Sequence, residues 1–157
     1  MINHGLSTGA LFLLVGMIYE RRHTRLISDF GGLAKIMPVY FAFFLVITLS
    51  SIGLPGLNGF VGEFTILVGA FKFSPWITAI ASLGIVLSAV YMLWMFQRVF
   101  FGQVTRDENK TLLDLSKREL AVLIPIILLV FWIGVYPKPF FSRMEASVAH
   151  LITQINR

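Results

Sequence analysis

The sequence predicts an all-α integral membrane protein of four transmembrane helices and a C-terminal amphipathic interfacial helix. Three observations carry this. Of 157 residues, 57% are hydrophobic and only 13% are charged, against about a quarter charged in soluble domains. Mean hydropathy is +0.81. Several apolar runs reach the roughly 20 residues that cross a bilayer, and the longest lack a polar helical face.

The first span covers about Ile2 to Tyr19, with Asn3, His4, Ser7 and Thr8 near its start. Gly5, Gly9 and Gly16 in it suit close helix packing. The polar stretch Glu20 to Arg25 ends it. Leu26 to Met37 mixes apolar and polar residues around Gly31 and Gly32, which predicts a short surface helix plus a turn.

The second span opens after Pro38 and stays apolar from Val39 to about Phe71. Unbroken, such a helix would be about 50 Å long, too much for a hydrocarbon core of about 30 Å. Gly53, Pro55, Gly56 and Gly59 supply a break near residues 53–59. Unpaired backbone at that depth needs protein or water beside it. The break is therefore either a gating or ion-coordinating element, as in transporters, or a fixed kink for packing. The aromatic stripe Phe41, Phe43, Phe44 reads as lipid or core contact.

The third span runs over residues 76–100, and Tyr91, Trp94, Gln97 and Arg98 form an interface belt at its end. Gln103 to Arg118 is a solvated connection. The fourth span runs over residues 119–136 and is stopped by Pro137 and Pro139. In the tail, residues 140–157, the apolar Phe141, Met144, Val148, Leu151, Ile152 and Ile155 recur at helical spacing. Arg143, Glu145, His150 and Gln154 lie opposite. The whole chain forms one membrane domain. It starts at the edge of its first span with no leader peptide, which reads as a fragment of a larger protein.

The basic residues serve topology. Nine lie in the first and third connections and four on the opposite side. That places those two connections in the cytoplasm and the C-terminus outside. The net charge of +5 sits in loops, so nucleic acid is not expected as a partner. With no cysteine, thiolate metal sites, disulfides and thiol catalysis are excluded. No nucleotide loop, metal-ligand cluster or nucleophile triad is present.

One acid stands apart. Of eight acidic residues, Glu63 alone lies deep between apolar stretches, just after the break. An acid within a membrane helix is a functional-site hypothesis by default. Glu63 is either a protonatable site, balanced between desolvation and a neighbouring cation, or a structural carboxylate that satisfies loosened backbone. His4 is either a proton relay, with Ser7 or Thr8 one turn away, or a neutral histidine packed at a helix end. His23 and His150 read as solvated surface residues.

Two stretches resemble a known family. His4 to Arg25 (HGLSTGALFLLVGMIYERRHTR) and Gly53 to Phe64 (GLPGLNGFVGEF), with 59 residues between His4 and Glu63, are similar to the C-terminal part of subunit M, or chain 4, of respiratory complex I. That is an antiporter-like, proton-translocating subunit of NADH–quinone oxidoreductase. The resemblance implies that Glu63 is the protonation site on a discontinuous helix and His4 a relay on the polar axis. It also implies a bacterial inner-membrane location, with the other membrane-arm subunits and the missing N-terminal part of the same subunit as partners. NADH, flavin, iron–sulfur clusters and quinone are then expected in other subunits, with no cofactor, metal or redox site in this chain. Lacking the first half of the pathway, the chain alone is not expected to pump. Two alternatives remain: a subunit of a multisubunit cation/proton antiporter, and a non-transporting membrane scaffold.

Overall fold

A computed structural model describes residues 1–155, and they are all-helical. Seven α-helices occur: α1 (Ile2–Arg22), α2 (Leu33–Ile36), α3 (Pro38–Ser51), α4 (Asn58–Phe73), α5 (Pro75–Phe100), α6 (Lys117–Val135) and α7 (Lys138–Ile155). Helices α1, α5 and α6 are long and apolar enough to cross a membrane. Helices α3 and α4, with 14 and 16 residues, are about 21 and 24 Å long, each shorter than a hydrocarbon core.

Local chemistry sets the boundaries. Helix α1 closes on His23 in the left-handed region (φ 54°), with Arg21 and Arg22 in its last turn. These cations complement the negative end of the helix dipole. Pro38 and Pro75 open α3 and α5, where a missing N–H costs nothing. Helix α6 starts with a capping box: the Ser116 hydroxyl accepts from the Glu119 N–H, and Glu119 accepts from the Ser116 N–H at 2.7 Å. Pro125 inside α6 leaves the Ala121 carbonyl without its helical donor.

Helix α3 borrows its cap. Met37, at its N-cap position, has no side-chain acceptor. The Asp114 carboxylate, from the loop before α6, accepts the Val39 N–H at 2.8 Å and the Tyr40 N–H at 2.9 Å. A second link joins the same ends. Arg21 pairs with Glu119 through two hydrogen bonds of 2.7 Å and also donates to the carbonyls of Met17, Leu113 and Asp114. Such a planar fork suits arginine and not lysine.

The core lies among α1, α3, α6 and the last turns of α5. It contains Leu14, Tyr40, Phe44, Phe96, Phe100 and Val130. Phe41 and Phe44 pack tilted or edge-on against Phe96 and Phe100 at ring separations of 5.0 to 6.1 Å, and Phe43 also packs against the core, so all three members of the aromatic stripe serve it. The Tyr40 hydroxyl donates to the Leu14 carbonyl at 3.0 Å, which satisfies the one polar atom of a buried ring. Outward faces are apolar: Trp76, Ile80, Leu87 and Val90 on α5 are all exposed.

One expectation needs correction. Leu26 to Met37 is a 3-10 turn (Ile27–Asp29) followed by the single turn of α2. It is not a surface element throughout, because Phe30, Leu33 and Met37 are buried in the core. The glycines of α1 face open space within this chain. A Cβ added at Gly5, Gly9 or Gly16 meets nothing within 4 Å. Close approaches fall at Gly59 and Gly62 of α4 and Gly134 of α6, at Gly31 and Gly32 against residues 103–104, and at Gly53 against the Glu63 carboxylate.

Helix α7 buries no residue against the rest of the chain, and Phe141, Met144, Val148, Leu151, Ile152 and Ile155 are exposed along it. Residues 156–157 of the expected tail lie outside the described residues.

Candidate functional site

The site forms where α3 gives way to α4. Gly53 takes φ 76° and Gly56 φ 92°, values that an L side chain resists. The Gly53 N–H donates to the Ser50 carbonyl at 3.2 Å, and the Leu54 N–H to the Leu49 carbonyl at 3.0 Å. This pair of bonds is a Schellman motif with glycine in the left-handed position, followed by Pro55, which cannot continue a helix. The termination of α3 is thus written into residues 49–55. Leu57 is extended, and α4 begins at Asn58.

Glycines then allow four helices to converge. A Cβ on Gly59 would collide with the Ser50 carbonyl, and one on Gly134 of α6 with the Gly56 carbonyl. A Cβ on Gly62 would stand 2.9 Å from the Asn3 amide nitrogen. Helix α4 therefore lies against α3 and α1, and α6 lies against the link between residues 53 and 57.

A buried polar cluster fills this junction. Asn58, Ser50 and Ser7 are all buried. The Ser50 hydroxyl donates to Asn58 Oδ1 at 2.6 Å, Ser7 and Ser50 hydroxyls are 2.8 Å apart, and Asn58 Nδ2 donates to the Asn3 carbonyl at 3.0 Å. Ser7 therefore belongs to the junction, while Thr8 is the neighbour of His4, with its hydroxyl 3.3 Å from Nδ1.

Glu63 and His4 line one cavity of about 460 Å³, together with Asn3, Ser51, Ser88 and Tyr91. Glu63 is half-buried and His4 exposed. Glu63 Oε2 lies 2.6 Å from the point a Cβ on Gly53 would occupy. Among the described residues Glu63 has no ion-pair partner. The Ser51 hydroxyl on the same cavity is buried without a hydrogen-bond partner. An acid, an imidazole and several hydroxyls around one opening can hold and pass protons through water. Among the described residues no group of three or more His, Cys, Asp or Glu gathers to hold a metal.

The family model of the NADH:quinone oxidoreductase/Mrp antiporter transmembrane proteins matches residues 1–90, a stretch that includes His4, the link 53–57 and Glu63. The chain belongs to this family. Curated members similar to it include NADH-quinone oxidoreductase subunit M of Rhodobacter capsulatus, 44% identical over 97% of this chain and 30% of that protein. Another is NADH-ubiquinone oxidoreductase chain 4 of Marchantia polymorpha, 43% identical over 97% of this chain and 31% of that one. Among solved structures, respiratory complex I from Thermus thermophilus with bound NADH superposes with a TM-score of 0.80 and 40% identity, over 86% of this chain and 28% of the matched one. The membrane-bound sulfane sulfur reductase, an archaeal respiratory membrane complex, matches with a TM-score of 0.80 and 29% identity, over 87% and 23%. The chain thus spans about 30% of the length of the curated family members it matches.

The family places the protein in a membrane, in agreement with its apolar helices. Of the residues singled out in the sequence, Glu63 and His4 line one cavity, and Gly53, Pro55, Gly56 and Gly59 lie in or beside the α3–α4 link. Asn58, Ser50, Gly62 and Gly134 were not singled out. The only sequence signal for Asn58 is a lone amide inside the run Gly56 to Gly59, at the start of a helix.

Proposed function

We propose that this chain is the C-terminal part of a subunit M (chain 4) type membrane-arm subunit, which couples electron transfer in NADH–quinone oxidoreductase to proton translocation. Helices α3 and α4 together act as one discontinuous span, α1, α5 and α6 as the other three, and α7 lies at the membrane surface. The connections before α2 and after α5 face the cytoplasm of a bacterial inner membrane, and the C-terminus faces outside. Glu63 is the protonatable site on α4, and His4 relays protons toward it. Its partners are the remainder of the same subunit and the other membrane-arm subunits; electrons, NADH and quinone are handled in those other subunits.

The observation that carries this reading is the shared cavity. It joins Glu63, which has no ion-pair partner among the described residues, to His4, on a chain 44% identical to a subunit M. The left-handed backbone at Gly53 lets the Glu63 carboxylate lie against the link, where it would meet water on one side and the hydroxyls of α1 and α3 on the other.

The test uses the intact complex in sealed vesicles. Glu63→Gln should abolish proton pumping coupled to NADH oxidation, and His4→Gln should reduce it less. Full pumping by Glu63→Gln would remove Glu63 from the pathway. A second reading follows from the Mrp antiporters in the family description. In that case sodium gradients would drive pH changes in vesicles without NADH.

A further inference from the structure

Asn58 is completely buried at the first position of α4. A buried amide is costly unless each of its polar atoms finds a partner. Here each one does. Oδ1 accepts from Ser50 at 2.6 Å, and Nδ2 donates to the Asn3 carbonyl at 3.0 Å.

The directions of these bonds follow from the donor inventory. Each serine has one hydroxyl proton. Ser50 gives its proton to Asn58, so Ser7, 2.8 Å away, gives its own to Ser50. The remaining contact from Ser7 to Asn58 is longer, at 3.4 Å. The result is a closed loop of bonds from α1 through α3 to α4 and back to α1.

This loop spans the turn of α1 that carries His4, which lies between Asn3 and Ser7. It also fixes the turn of α4 that leads to Glu63. Between Asn58 and Glu63, Gly59 rests on the Ser50 carbonyl and Gly62 on the Asn3 side chain, so that segment packs closely on α3 and α1. The link 53–57 alone cannot supply such rigidity, since two of its residues are glycines with positive φ.

We propose that Asn58 is a positioning residue that holds Glu63 in register with His4 across their common cavity. This rests on Glu63 being the protonated site. Asn58 touches neither the carboxylate nor the imidazole, so it acts through the placement of α4.

The experiment compares wild type, Glu63→Gln and Asn58→Ala in the intact complex, at equal assembly. Two quantities are read: protons pumped per electron, and the carboxyl band in the redox-induced infrared difference spectrum that Glu63→Gln removes. Asn58→Ala is expected to lower the pumping ratio severalfold and to shift the Glu63 band. A residue that served packing alone would lower the amount of complex and leave the band in place. If Asn58→Ala does not assemble, Ser50→Ala carries the test, since it removes the hydroxyl that donates to Asn58 Oδ1; a smaller shift is expected, and an unmoved band overturns the proposal. If Glu63→Gln removes the band while Asn58→Ala changes neither band nor ratio, this inference alone fails. If Glu63→Gln removes no band and pumping persists, the reading of Glu63 fails and the positioning role falls with it.

Discussion

The Glu63 carboxylate occupies the space that a side chain on Gly53 would need, with Oε2 2.6 Å from that Cβ position. Ten residues separate the two in sequence, yet the backbone conformation of one and the charge of the other form a single unit. A helix ending in glycine is common; here the missing side chain also seats an acid.

Gly53→Ala should therefore disturb the site twice. Alanine at φ 76° costs about 1 kcal/mol in backbone strain, and its methyl group displaces the carboxylate. The expected outcome is an assembled complex with pumping reduced as strongly as by Glu63→Gln, measured as vesicle acidification per NADH oxidised. Normal pumping would mean that the seat is dispensable.

Gly59→Ala and Gly134→Ala act on packing. Each methyl group would meet a backbone carbonyl, of Ser50 and Gly56 respectively, which cannot rotate away as a side chain can. Overpacking of this kind costs about 1–3 kcal/mol. Both variants should lower the thermal midpoint of the purified complex or its yield. Gly62→Ala should cost less, because the Asn3 side chain it meets can move.

Helix α3 depends on an acid 75 residues away. Asp114→Ala leaves the Val39 and Tyr40 N–H groups without their acceptor and should cost about 1–2 kcal/mol, as loss of an N-cap does. Asp114→Asn keeps one acceptor oxygen and should cost about half as much. Thermal unfolding of the two variants, compared with wild type, checks the order.

The Arg21–Glu119 pair should be sensitive to geometry as well as charge. Both side chains are largely buried, at 18% and 16% exposed. Arg21→Lys keeps the charge but loses the fork and most of the carbonyl contacts. It should cost about 2 kcal/mol, less than the roughly 3–5 kcal/mol lost when one partner of a buried pair is removed. Stability of Arg21→Lys near that of wild type would show that charge alone suffices.

How far the sequence foretold this can be argued residue by residue. Hydropathy located the apolar helices, because length and composition are what a bilayer demands. The arrest of α3 near Gly53 and Pro55 was legible because backbone chemistry is local. Pairings across the chain were not. Nothing near Asp114 says that it caps α3, and nothing near Asn58 names Ser50 and Asn3 as its partners. Glycine permits close approach, but which glycines meet a neighbour depends on the helix face turned inward, and that emerges only once α4 is placed. Phe30, Leu33 and Met37 were read as surface because their polar neighbours masked a buried face.

The most direct test of the account is whether Glu63 changes its protonation during turnover. The measurement is the redox-induced infrared difference spectrum of the intact complex, wild type against Glu63→Gln. The account predicts a carboxyl band in the wild-type spectrum that vanishes in the variant together with proton pumping. Identical spectra and undiminished pumping would contradict it and leave Glu63 a structural carboxylate beside a helix end.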